Sequence, residues 1–266
     1  MPASMSSEPN TEPNISTKSS ERLLNVTLWP DGPRQLEELQ RSLAELREQQ
    51  PAWQPPPDRP TRVGAVFVAP GPPTQPRDRV QEQAWAAAAV LVDGNLVESA
   101  VLPGTLEAAY SPGLLALREG ALLELAVRDL TRLPDVLMVN ATGLDHPRRA
   151  GLAIHLGAVC GVPTLGVTDR TLVASAPEPG PQRGAMAELR LADAVVGYRV
   201  RTQAGVRPIV VHAGWRVDAR TACALVLSVV GSSRTPTPLR EARRLARTAR
   251  SGSRSVPLGA ARGACP

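Results

Sequence analysis

Three cysteines and three histidines are the soft and imidazole groups of this 266-residue chain, and their spacing sets early limits on its chemistry. Cys160, Cys223 and Cys265 form no CxxC pair and no regular framework, so neither a structural zinc site nor a disulfide scaffold is expected. His155 and His212 stand in no motif and are read as structural or exposed. His146 is followed by Arg148 and Arg149, a cluster that reads either as phosphate-facing or as the cap of a following helix. The sequence has no P-loop, no GxGxxG after a strand, no GxSxG elbow and no HExxH helix.

Charge adds a second hint. Thirty Lys+Arg against 25 Asp+Glu give a net +5, and arginine supplies every basic residue except Lys18. Such a balance is compatible with nucleic-acid binding, although an Arg-rich chain also follows from biased composition. The stretch from Gly231 to Pro266 holds eight arginines and one acid, Glu241. Leu239 to Arg250 can form a basic helix there, either a solvated one or a surface for phosphate contacts.

The elements that must position these groups follow from apolar patterning. Hydrophobic residues are 42% and charged residues 21%, which fits a globular core and excludes a collagen-like or membrane-bundle architecture. With 27 prolines and only seven aromatics, that core must be built from Ala, Val and Leu. Residues 1–25, rich in Ser, Pro, Asn and Glu, are expected to be a disordered tail, and residues 26–60 an N-terminal helix and Pro-rich linker. Leu36, Leu39, Leu43 and Leu46 make one helical stripe over Gln35 to Gln49, and the PAWQPPPDRP run from Pro51 must end it.

From Arg62 the pattern turns to strands: VGAVFVA, AWAAAAVLVDG and NLVESAVLP, the last two joined by a turn at Asp93-Gly94-Asn95. A helix from about Pro112, a strand over Asp135 to Asn140, a helix over Arg148 to Cys160 and a strand over Pro163 to Val167 follow. Strands at Ala194 to Val200 and Pro208 to His212 and a helix over Thr221 to Val230 complete the pattern. This alternation implies an α/β fold with a mixed central sheet opened by an antiparallel meander. No stretch approaches the roughly 18 apolar residues of a membrane span, and the polar N-terminus lacks a signal-peptide core, so a cytoplasmic protein is expected.

The segments AYSPGLLALREG, PDVLMVNATGLDHPRRAGLAIHLG, VPTLGVTDRTL, EPGPQRG, VVGYRVRT and GWRVDARTA, in this order, closely resemble endonuclease V, a metal-dependent enzyme that nicks DNA or RNA near inosine. The similarity spans about Trp29 to Arg250, with residues 61–231 as the family-like domain and 232–266 as a basic C-terminal helix and tail. The resemblance implies a ribonuclease-H-like fold, with a mixed sheet of about five strands flanked by helices. It also implies Mg²⁺, DNA or RNA as partner, and repair of deoxyinosine as the family reaction. Hard carboxylate oxygens would hold the ion and generate the attacking water.

Laid on this sequence, that catalytic pattern is degenerate. The first-strand Asp of the family falls on Phe67, the only Phe in the chain, and the fourth-strand Asp on Asn140. The family Lys falls on Asp169 and the family His on Trp215. Glu119 alone matches, so Glu119 with Asn140 makes at best a weak metal site and hydrolysis is expected to be lost. Two alternatives stand beside that: an active enzyme with a metal site rebuilt from Glu119, Asn140 and Asp145 or displaced onto Glu119, Asp145 and Asp169, and a non-cleaving nucleic-acid-binding module. The substrate elements implied by the resemblance are better kept. They comprise the wedge Ala109-Tyr110-Ser111-Pro112-Gly113, with Tyr110 able to stack on a base, and a base pocket of Gly113, Leu115, Gly151 and Leu152 beside Ala141. His146 and Arg148 complete the set.

Overall fold

A computed structural model describes residues 29–71 and 81–252. The tail expected over residues 1–25 and the last part of the basic tail, with Cys265, lie outside the described residues. The leucine stripe forms helix α1 (Pro33–Glu48), which buries Leu36, Gln40, Leu43 and Leu46. The proline run after it is pinned to the body by Trp53, whose side chain is buried and whose backbone N–H donates to the Arg216 carbonyl at 2.7 Å.

Among the described residues, eight strands form one mixed sheet in the order β3-β2-β1-β4-β5-β8-β7-β6. They are β1 (Val63–Pro70), β2 (Glu82–Val92), β3 (Asn95–Leu106), β4 (Val136–Val139), β5 (Thr164–Thr168), β6 (Met186–Leu191), β7 (Ala194–Val200) and β8 (Ile209–Ala213). The first five build the expected ribonuclease-H-like core, an antiparallel meander followed by β4 and β5 parallel to β1. Three antiparallel strands then extend it beyond the five expected. Of these, β6 escapes the sequence pattern because it is an edge strand: only Leu189 of MAELRL is fully buried, and a weakly alternating, charged strand leaves little apolar signal.

Helices cover both faces. On one, α1, α2 (Leu115–Arg128) and α3 (Leu152–Cys160) close over Val66 and Val68 of β1, the even-numbered alanines of β2 and Leu137 and Val139 of β4. On the other, α4 (Ala219–Val229) and α5 (Thr237–Gly252) pack on Val63, Ala65, Ala89, Val136 and Met138. The alanine run of β2 serves this arrangement, since small side chains on both faces let helices approach a central strand closely. Helix α5 is therefore a docked element, burying Pro238, Leu239, Ala242 and Ala246, with Arg240, Arg244 and Arg247 exposed and Arg243 and Arg250 half-buried. None of the described helices is long and apolar enough to cross a membrane.

Two helices start later than their sequence pattern suggests, each for a backbone reason. Gly113 has φ +79°, so α2 begins only at Leu115 and the wedge remains a turn. Arg149 has φ +55° and Gly151 is extended, which delays α3 to Leu152. Gly151 also passes so near Thr142 that a Cβ there would stand 2.3 Å from the Thr142 carbonyl oxygen.

Candidate functional site

The wedge is held by its Gly113 carbonyl. Three donors converge on that oxygen: Gln40 Nε2 at 3.2 Å, His146 Nε2 at 3.1 Å and Arg148 Nη2 at 3.1 Å. Arg148 Nε also donates to Gln40 Oε1 at 2.6 Å, and its Nη1 stands 3.5 Å from Glu37 Oε1. The wedge is thus strapped to α1 and to the segment after β4. Its tip is left free: Tyr110 is 66% exposed and Pro112 is exposed. An aromatic ring on a braced loop costs nothing to desolvate from a core and offers a face on which a base can stack.

The brace redefines His146 and Arg148. His146, one of the groups expected to face a phosphate, is buried, and burial pushes its pKa down to about 4. Its ring is neutral, with Nε2 donating to Gly113 and Nδ1 accepting from the Arg148 backbone N–H at 3.2 Å. Gly113, Leu115, Ala141, His146 and Leu152 do come together around one cavity, but its 20 Å³ holds about one water molecule and no purine. Ala141 is one wall of it.

Two of the positions implied by the resemblance, Phe67 and Asn140, lie on the adjacent strands β1 and β4 or just past them. Val66 and Val139 are the last pair of these parallel strands, and Phe67 and Asn140 each follow by one residue, Asn140 in a turn closed by the Ala141 N–H donating to the Val139 carbonyl at 2.8 Å. Leu115 lines the cavity beside Ala141, and Glu119 is one helical turn further along the same face of α2. Glu119 is partly buried with no hydrogen bond or ion pair of its carboxylate among the described residues. Desolvation pushes its pKa up to about 7, against a smaller opposing effect of Arg118. Asn140 is exposed.

Phe67 is not alone. The guanidinium of Arg243 lies 5.0 Å from the centre of its ring and that of Arg247 5.9 Å, both from α5. Sequence reasoning passed over these two arginines. Their i, i+4 spacing on the flank of the Leu239, Ala242 and Ala246 stripe was visible, but which strand they would cover was not.

The remaining candidates lie elsewhere or are already engaged. Asp169, just past β5, is exposed and ion-paired with Arg234 at 2.6 Å, which holds its carboxyl below the usual range. Trp215 is at the opposite end of the sheet: its backbone N–H donates to Thr164 Oγ1 at the start of β5, and its Cβ packs at Gly157. It is 3% exposed and distant from Phe67 because β8 runs antiparallel to β5. Asp145 is wholly buried and accepts from the backbone N–H groups of Leu172, Val173 and Ala174. His155 is buried and stacks on Trp29 at 4.2 Å.

These residues do not fit a magnesium ion. Among the described residues no group of three or more His, Cys, Asp and Glu is arranged to hold a metal. Phe67 offers no oxygen and is covered by two guanidiniums, Asn140 offers a neutral amide and Glu119 a single carboxylate of raised pKa, where Mg²⁺ demands near-octahedral oxygen ligands.

The comparisons with known proteins agree with the fold. The family model described as Endonuclease V matches residues 62–244. The chain is 42% identical to the Endonuclease V of Azotobacter vinelandii over 165 residues, 60% of this chain and 74% of that protein. A crystal structure of Endonuclease V from Streptomyces avermitilis superimposes with a TM-score of 0.74 at 35% identity, covering 85% of this chain and 96% of that one. Endonuclease V of Ciona intestinalis, solved with DNA containing an inosine, shares the fold at 22% identity and a TM-score of 0.65, over 83% of this chain and 99% of that one. The chain belongs to the endonuclease V family.

Proposed function

We propose that this endonuclease V homologue holds nucleic acid, with inosine-containing DNA as the first candidate, and does not cut it. The observation that carries this reading is the pairing of β1 with β4 up to Val66 and Val139, since the residues that follow, Phe67 and Asn140, are the ones that the resemblance aligns with two aspartates. Hydrolysis through a bound ion needs charged oxygens at that point, and Glu119 is the one carboxylate left. The binding half of the reading is supported by the braced wedge with its exposed Tyr110, and by the Ciona relative that has been solved with inosine-containing DNA. A rebuilt catalytic centre drawing on Asp145 is disfavoured, because both oxygens of that carboxylate accept backbone N–H groups.

The test is a nicking assay on a fluorescent deoxyinosine-containing duplex with excess Mg²⁺ and then Mn²⁺, run beside Glu119→Ala. No product above the Glu119→Ala background, with the same duplex retarded on a native gel, is the expected result. Cleavage by the wild-type protein that vanishes in Glu119→Ala would overturn it.

A further inference from the structure

We propose that Arg243 and Arg247 form a metal-independent site for a phosphodiester group of a nucleic-acid strand, at the place where a family nuclease would hold its metal. This rests on the reading that the chain holds nucleic acid, and it assigns the contact that does so.

Three observations support the site. First, neither guanidinium makes a hydrogen bond or ion pair among the described residues, although both are fixed over the Phe67 ring. Arg243 Nε is buried from water and lacks any acceptor. A half-buried cation with no acceptor is a costly arrangement, and an acceptor reaching the exposed part of the guanidinium offsets part of that cost.

Second, the neighbourhood is positive and not neutralised. Arg247 and Arg234 both act on Arg243 by like charge, and the acid acting on it, Asp169, is already ion-paired with Arg234 at 2.6 Å. Arg207 Nη2 also comes to this place, donating to the Asp169 carbonyl at 3.0 Å. Third, the arginines border an open trough of about 560 Å³ along α5, lined by Arg240, Glu241, Arg243, Arg244, Arg247, Thr248 and Ser251; its one acid, Glu241, is ion-paired with Arg244 at 2.8 Å, which leaves Arg243 and Arg247 without a carboxylate partner. Phosphate oxygens suit such a surface, because the guanidinium fork matches them bidentately and its face can stay on the aromatic ring. Phe67 then acts as a platform that orients two cations in place of two carboxylates holding one.

Anisotropy of a labelled inosine-containing DNA strand, titrated in excess EDTA, tests the site. The wild-type protein is expected to bind, and Arg243→Gln/Arg247→Gln to weaken binding at least about tenfold and to flatten the plot of log K against log salt by about two. Arg243→Lys/Arg247→Lys, which keeps the charge and the aliphatic stems, should retain the salt slope and lose affinity by less; it also serves if the Gln pair folds poorly. Arg190→Gln/Arg199→Gln, removing two charges at the far β6–β7 edge, should bind like wild type. If the wild-type protein binds and the Arg243/Arg247 variants match it in affinity and slope, or if the far pair loses as much, the site is refuted while the nucleic-acid reading stands. No binding by wild type in EDTA, with binding restored by Mg²⁺, refutes the site alone; no binding in either condition refutes both.

Discussion

Asp145 Oδ2 and His212 Nδ1 lie 3.7 Å apart, both wholly buried, yet they do not share a proton. Thr168 Oγ1 donates to the Arg170 carbonyl at 2.7 Å, so at its 2.7 Å contact with His212 it accepts from Nε2–H, which leaves Nδ1 as a bare lone pair. Asp145 meanwhile faces the amides of Leu172, Val173 and Ala174. Burial holds His212 neutral, with its pKa lowered to about 4 in spite of the carboxylate nearby.

Acid lability follows, because His212 is one of three such rings. His146 is lowered to about 4 and His155 to about 3, both mainly by desolvation. In the unfolded chain each takes up a proton near 6.5, whereas the folded protein stays neutral until about pH 4. The unfolded state therefore binds up to three more protons as pH falls through that window, and stability drops by as much as about 4 kcal/mol per pH unit. Urea midpoints at pH 7, 6 and 5 should fall steeply. A midpoint unchanged from pH 7 to 5 would contradict the neutral-imidazole assignment.

Glu119 acts in the opposite sense. Its pKa rises from 4.5 to about 7 on folding, so the folded state keeps the proton longer and stability declines as pH rises from about 4.5 to 7. At pH 8 the charged carboxylate costs on the order of 2 to 3 kcal/mol. Glu119→Gln is expected to be nearly neutral at pH 5 and stabilising at pH 8, measured by chemical denaturation at both. Equal effects at the two pH values would mean that the carboxylate is well solvated or has an ionic partner.

Tyr110→Ala separates recognition from stability. With 66% of its surface in water, the ring contributes little to the core, and the substitution should leave the unfolding free energy within about 0.5 kcal/mol of wild type. Loss of one base-stacking contact should weaken binding of an inosine-containing strand by about 1 to 3 kcal/mol. Unchanged affinity in an anisotropy titration would remove the wedge from the binding surface.

What the sequence could disclose depended on how local each signal was. The leucines of α1 and the strand-like run at Val63 to Ala69 repeat within one element, so they were readable from spacing. The nearness of Phe67 to Asn140 was readable through family pattern, since it depends on the β1–β4 register that the fold fixes. Trp215 was not, because its separation from that centre follows from the reversed direction of β8 against β5, which leaves no trace in the local motif. The brace on Gly113 joins Gln40, Gly113 and His146 from three distant segments, and the crossing of Arg243 over Phe67 needs the angle at which α5 meets β1. Such long-range geometry has no periodicity to read.

Restoring the missing carboxylates should not by itself restore a metal site. In Phe67→Asp/Asn140→Asp the new carboxylate at position 67 would lie beneath the guanidiniums that now stand 5.0 and 5.9 Å from the ring centre. Oppositely charged groups at that range form an ion pair, and the pair competes directly with any divalent ion for the same oxygens. Mn²⁺ titration followed by electron paramagnetic resonance should show no bound ion in the double variant. Adding Arg243→Ser and Arg247→Ser should free the carboxylates at 67 and 140 to act with Glu119, and bound Mn²⁺ should then appear. Equal Mn²⁺ binding with and without the arginines would mean that they do not guard the position, and that the loss of two aspartates alone accounts for the absent ligand set.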